Sequence, residues 1–418
     1  MRKQVLFFFF LLSFIGVSAQ MSSEKWKTDI KYLQTNLTNK HYNLFAYREQ
    51  VLFDKDINML ISDCEKLSDF QIAVRIQQIL SKQGDTHTKI SWEKLIDNSK
   101  AIPLLYYYFK DGIYVTLTNS ENKDVIGKKV VSINNYDIKT VTDSLSTLIA
   151  HENDAIVKAR LPNLVSSIEI LNYFGFAKDD TIKVKFQDGN NFIEKKLSAS
   201  KILKSEKVTI NPPQNTFVRE NKKKIFEKKY FEKEKILYVL YNSCVSKEEP
   251  SFLTGKPEAT NLPSFIDFQN DIFKIIDTNP VEKLVFDMRN NKGGSSKQGS
   301  KFIKQLAQNS NINKKGHLFV VLGRDTFSSA ILNATDFEEE TKAIFVGEET
   351  SGKPNHYGEI KDFELPNSKL ILTYSTYYFV RTKKKNVNSL KPDYTIESTI
   401  EDHKNGIDPV FEFVKNYK

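Results

Sequence analysis

The sequence predicts an α/β protein: a layered core of alternating strands and helices in the C-terminal half, preceded by a helical region and a β-rich module. Three observations carry this. From Ile236 onward, short apolar runs alternate with segments of helical period. From Ile102 to Leu197 the pattern is one of short strands between turn residues. From Trp26 to Ile79, apolar residues recur every three or four positions.

The chain has 418 residues, a length that favours two or three domains. Met1-Arg2-Lys3 is a basic start, Val5 to Val17 is mostly apolar, and Val17-Ser18-Ala19 fits a small-residue cleavage site. This predicts a signal peptide over 1–19 and a periplasmic or secreted mature chain from Gln20. The apolar run is shorter than the ~20 residues a membrane span needs. No Cys follows the cleavage site, which disfavours a lipoprotein anchor.

A helical region is expected over 20–98. Trp26, Ile30, Leu33 and Leu37 mark one helix, and Ile57, Leu60 and Ile61 a second. Ser68-Asp69-Phe70-Gln71 offers a capping box for a third helix that ends near Gly84. The β-rich module covers 99–204. Its strands are expected at Tyr106–Phe109, Ile113–Val115, Lys129–Ile133 and Thr181–Phe186, with turns at Asp111-Gly112, Asn134-Asn135 and Asp188-Gly189. Residues 205–234 are polar and basic, contain Pro212-Pro213, and read as a linker. The core, 235–418, is expected to hold strands at Ile236–Leu240, Leu284–Phe286, Leu318–Leu322, Ala343–Gly347 and Leu370–Phe379, with helices at Phe265–Ile276 and Ser296–Leu306.

The stretch from His317 to Tyr357 holds the candidate chemistry. Gly323-Arg324-Asp325 breaks a strand, and Thr326-Phe327-Ser328-Ser329-Ala330 then opens a segment of helical period. A serine at a helix start has free backbone N–H groups beside it, suited to an oxyanion. A neighbouring strand runs into Gly347-Glu348-Glu349-Thr350-Ser351-Gly352-Lys353. Adjacent strand ends lie close, so the Lys353 ammonium is expected to reach the serine. Upstream, Lys283-Leu284-Val285-Phe286 leads into Asp287-Met288-Arg289-Asn290-Asn291-Lys292-Gly293-Gly294.

These segments resemble the S41 serine peptidases, the tail-specific or C-terminal processing proteases and their tricorn-like relatives. The resemblance implies a layered ClpP/crotonase-like peptidase core and serine-type endopeptidase activity. In the processing proteases the nucleophile precedes a lysine base by 25 positions; that interval separates Ser328 from Lys353 here and selects Ser328 over Ser329. The Asp-x-Arg-x-Asn-x-Gly-Gly match implies an oxyanion site formed by the N–H of Ser329 with Gly293 or Gly294. Tyr357 stands where many of these proteases carry a polar residue that orients the lysine. Gly84-Asp85-Thr86-His87-Thr88 resembles a segment whose histidine is the base in the tricorn-like branch, so Lys353 and His87 both stand as candidate bases. Gly127 to Ile138 resembles the core of a PDZ domain, though no Gly-Leu-Gly-Phe-like carboxylate loop is present. The module is thus PDZ-like, and both capture of substrate C-termini and a spacer role stay open.

A serine nucleophile needs a base. An ordinary lysine, with pKa ≈ 10.4, must be desolvated to serve as one at neutral pH. Neither Gly-x-Ser-x-Gly nor Ser-x-x-Lys surrounds the serine, which disfavours other serine-enzyme classes. The competing reading is an exported peptide- or ligand-binding protein that keeps the fold without catalysis. The six histidines show no metal-ligand spacing, so no metal or other cofactor is expected. The formal charge of +9 lies largely in runs such as Lys222-Lys223-Lys224 and reads as solvated surface, with no nucleic-acid motif; the expected partner is a polypeptide substrate. Cys64 and Cys244 are the only cysteines, and their spacing does not decide whether they pair.

Overall fold

Near-continuous apolar runs in the C-terminal half build a sheet that buries both faces. The computed structural model describes residues 20–97, 100–200 and 206–418; the expected signal peptide lies outside them. The sheet has six strands in the spatial order Tyr394–Thr395, Ile344–Gly347, Leu318–Leu322, Lys283–Asp287, Ile236–Tyr241 and Phe226–Phe231. All neighbours run parallel except the last pair. Leu237, Val239, Leu284, Phe286 and Val320 point to one face, where they pack with Phe265, Phe302 and Phe337 from three helices. Tyr238, Val285, Phe319 and Val321 point to the other and meet Val410 and Val414 of the helix Pro409–Asn416. A sheet covered on both faces needs near-continuous apolar strands, as these are.

The 205–234 stretch is more than the expected linker. Val208–Thr209 pairs with the β-rich module, and Phe226–Phe231 is the edge strand of the core sheet, antiparallel to Ile236–Tyr241. Its two adjacent lysines, Lys228 and Lys229, lie between aromatic residues, so the charge sits on an edge strand, where it discourages sheet-to-sheet pairing.

The β-rich module forms a separate antiparallel sheet, with Leu104–Phe109, Gly112–Thr118, Lys129–Ile133, Thr181–Asp188 and Asn191–Ser198 in that spatial order. The expected turn at Asn134 is present and left-handed, with φ 51°.

Three helices, Ser23–Lys40, Gln50–Asp63 and Asp69–Ser81, form the N-terminal region, and the capping box at Ser68 and Gln71 is made. This region does not stand apart. Lys89–Ile90 pairs with Ile371–Phe379, which forms a long hairpin with His356–Glu364. The Asp29 carboxylate accepts from the backbone of Asn367 and Ser368 in that hairpin. One apolar cluster joins the N-terminal helices, the β-rich module and hairpin residues such as Leu365 and Leu372. Cys64 and Cys244 are both buried free thiols. Among the described residues no helix is long and apolar enough to cross a membrane.

Candidate active site

The core strands end on one edge of the sheet, and three of the loops that follow them converge there. After Lys283–Asp287 comes the glycine turn. Asn291 shapes it: its Nδ2 donates to Tyr241 O at 2.8 Å and its Oδ1 accepts the Gly293 N–H at 2.9 Å. Its backbone carbonyl accepts the N–H of Phe327 at 3.0 Å, tying the next loop to the same turn. Below it, Asp287 is fully buried between Arg289 and the Tyr238 hydroxyl, and Arg289 also pairs with Asp408 at 3.1 Å. The Asp-x-Arg-x-Asn segment is therefore a brace that fixes the turn.

After Leu318–Leu322 the chain reaches Ser328, the residue before the helix Ser329–Glu340. Ser328 has φ 54° and ψ −128°, a conformation L residues adopt at a cost of about 1–3 kcal/mol. Its side chain makes no capping bond, and among the described residues Oγ forms no hydrogen bond. Ser329 Oγ, by contrast, donates to Gly294 O at 2.8 Å. The backbone of Gly293 lies against Ser328. A Cβ added at Gly293 would sit 2.9 Å from Ser328 Cβ and 3.1 Å from Ser329 N, and Gly293 has φ 101°. Gly293→Ala is therefore expected to lower stability by about 1–3 kcal/mol, through backbone strain, and to displace the serine. Urea unfolding together with an activity assay checks both effects.

The structure thus brings Ser328, Ser329, Gly293 and Gly294 together. The Gly293 N–H is already donated to Asn291. Among the described residues the N–H groups of Gly294 and Ser329 have no acceptor.

The other two candidates approach the serine loop from different segments. The His87 ring stacks on the Phe327 ring, with centroids 4.7 Å apart and an interplanar angle of 23°. The loop carrying Lys353 is tied to the serine loop by the Ser351 N–H, which donates to Thr326 O at 3.1 Å. The Lys353 ammonium lies 4.3 Å from the centroid of the Tyr47 ring and forms no hydrogen bond among the described residues, so none to Ser328. Its backbone N–H donates to Glu152 at 2.9 Å. Burial raises the Glu152 carboxyl above the usual range, with the Lys353 N–H and charge opposing.

His87 sits in a buried polar cluster. The Asp85 carboxylate accepts from His41 Nε2 at 2.9 Å, from Thr88 Oγ1 at 2.5 Å and from the His87 backbone N–H at 2.9 Å. His41 Nδ1 accepts the Asn43 N–H at 3.0 Å, which makes Nε2 the protonated nitrogen of the neutral ring. The nearer Asp85 oxygen lies 3.8 Å from His87 Nδ1. Burial works to raise the Asp85 carboxyl, but His41, His87 and Thr88 together hold it well below the usual range. It is an anion facing one nitrogen of His87.

His356 stacks beyond His87 with centroids 6.0 Å apart, and its Nδ1 bonds the Lys353 carbonyl at 2.8 Å. Burial, then repulsion from His87, pushes His356 down to about 4. A folded value below the unfolded one of ~6.5 means that only the unfolded chain takes the proton between those values. This contribution to stability is complete above ~6.5 and is lost as pH falls toward 4. The expected loss by pH 4.5 is about 2–3 kcal/mol. His356→Asn, which keeps a donor for the Lys353 carbonyl, should remove that part of the slope when urea midpoints are compared at pH 7.5 and 4.5.

Asp85 and His356 were visible within the sequence segments that carry His87 and Lys353, but not their contacts. His41, Tyr47 and Glu152 had no sequence signal; they arrive from distant elements. Among the described residues no cluster of His, Cys, Asp and Glu is arranged to hold a metal ion.

No protein-family model matches the chain, and no curated protein matches it in sequence. Solved structures do match in fold. Mature CPAF complexed with lactacystin gives a TM-score of 0.63 at 12% identity, covering 94% of this chain and 98% of that one. Mature CPAF alone gives 0.63 at 13%, covering 94% and 96%. A CPAF mutant gives 0.61 at 12%, covering 95% and 98%. The likeness spans nearly the whole of both chains and is one of fold.

Proposed function

We propose that this protein is an exported serine peptidase of the S41 type, with Ser328 as nucleophile and His87 as general base. The observation that carries the reading is the geometry of Ser328: a strained serine at a helix start that is unbonded among the described residues, beside two backbone N–H groups that have no acceptor among them. Strain of this kind persists only where surrounding structure imposes it, and it concentrates at functional sites.

In the proposed reaction His87 Nε2 takes the Ser328 proton as Oγ attacks the peptide carbonyl. The N–H groups of Ser329 and Gly294 hold the developing oxyanion. His87 returns the proton to the leaving amine, and water then releases the acyl group by the reverse sequence. Asp85 is a positioning residue: its charge beside Nδ1 favours the tautomer that leaves Nε2 as the base. Lys353 is the second candidate base, supported by its 25-residue interval from Ser328. Against it stands the ammonium lying on the Tyr47 ring, with no hydrogen bond to Ser328 among the described residues.

A fluorophosphonate probe followed by peptide mapping tests the reading. Label on Ser328 is the expected result. No label on the folded wild-type protein would leave a binding protein on a peptidase fold.

A further inference from the structure

One charge beside Ser328 has no role in the reaction above. Arg160 belongs to the helix Asp154–Val165 of the β-rich module, and its guanidinium carbon lies 5.3 Å from the centroid of the Phe327 ring. Phe327 is the residue immediately before Ser328. The start of this helix is locked to the loop that carries Lys353. Asn153 caps the helix through the Ala155 N–H at 3.0 Å, while its own amide donates to Thr350 O at 3.0 Å and Asn388 O at 2.8 Å. Glu152 adds the bond from the Lys353 backbone. Arg160 is thus held in position relative to the serine loop.

Arg160 is half-buried, yet among the described residues its guanidinium has no hydrogen bond and no ion pair. Asp325 and Glu93 act on it only at a distance. The other described arginines all have acceptors: Arg48, Arg75, Arg289, Arg324 and Arg381 pair with carboxylates, and Arg219 donates to backbone carbonyls. Arginine stays charged in proteins. A partly desolvated charge without an acceptor is unfavourable until something supplies one, and this one borders the residue that directly precedes the proposed nucleophile.

We propose that Arg160 recognises a carboxylate on the substrate, within about three residues of the scissile bond at ~3.3 Å per extended residue. The planar guanidinium matches a carboxylate through two parallel hydrogen bonds, whether the group is an Asp or Glu side chain or a free C-terminus. The proposal deepens the peptidase reading and rests on it.

The test uses fluorogenic hexapeptide libraries with Glu or Gln fixed at each position in turn, prepared with free or amidated C-termini. The expected wild-type preference in kcat/KM is about 10- to 100-fold for an acid at one position or at the terminus. The side-chain and terminal arms tell which source of carboxylate is read. Arg160→Gln should erase the preference, Arg160→Lys should retain part of it, and labelling of Ser328 by a small neutral fluorophosphonate should stay within about twofold in both. Wild-type protein that takes the label but cleaves acidic and neutral libraries alike overturns the proposal, as does a preference that survives Arg160→Gln. If the wild type takes no label, the peptidase reading fails separately. Fluorescence anisotropy with the same peptides then decides the role of Arg160: equal binding of acid and amide forms overturns it, and an acid preference lost in Arg160→Gln supports it.

Discussion

Ser328→Ala is expected to lower turnover by about 10⁴- to 10⁶-fold while leaving the protein folded. The first half follows from the role of Oγ, which forms no hydrogen bond among the described residues, whereas Ser329 Oγ is already bonded to Gly294. The second half follows from what Ser328 does not do. It makes no capping bond, so its removal lacks the usual cost of losing a helix cap. Ser328→Gly sharpens the test. Glycine accepts φ 54° without the Cβ penalty, so this variant should be as inactive as Ser328→Ala and about 1 kcal/mol more stable than the wild type. Peptide turnover and urea midpoints on the three proteins check both statements. Full activity in Ser328→Ala, with loss in Ser329→Ala, would move the nucleophile by one residue.

The second large effect separates the two candidate bases. His87→Ala is expected to cut kcat/KM by about 10²- to 10⁴-fold, the range for loss of a general base, and Lys353→Ala is expected to cost much less. The reason is orientation. His87 is held by stacking on Phe327 on one side and faces a buried carboxylate at Nδ1, whereas the Lys353 side chain ends on an aromatic face. The pH–rate profile of the residual activity should lose its acid limb in His87→Ala and keep it in Lys353→Ala. Asp85→Asn should fall with His87→Ala, because it removes the charge that favours the base tautomer. An inactive Lys353→Ala beside an active His87→Ala would return the lysine to the role of base.

Much of this architecture is legible in the sequence because its signals are local. Parallel strands covered on both faces must be apolar throughout, and Leu318–Leu322 and Ile236–Tyr241 announce themselves that way. The capping box at Ser68 and the turn at Asn134 likewise depend on a few neighbouring residues. The edge strand Phe226–Phe231 is the counter-example. Half exposed and rich in lysine, it carries the composition of a linker, and only its pairing with Ile236–Tyr241 makes it a strand.

The sequence alone determined that a serine would stand where a strand hands over to a helix, with a glycine turn and two candidate bases brought by separate segments. What only the tertiary structure decided is how those parts face one another. It committed the Gly293 amide to Asn291, left the Gly294 and Ser329 amides without acceptors among the described residues, laid the Lys353 ammonium on Tyr47, and set His87 between Phe327 and the Asp85 cluster. It also carried Glu152 and Arg160 from the β-rich module to the serine loop. Periodicity and turn chemistry act over a few residues, whereas these contacts join residues as far apart in the chain as Tyr47 and Lys353, and their reach is fixed only when the elements pack.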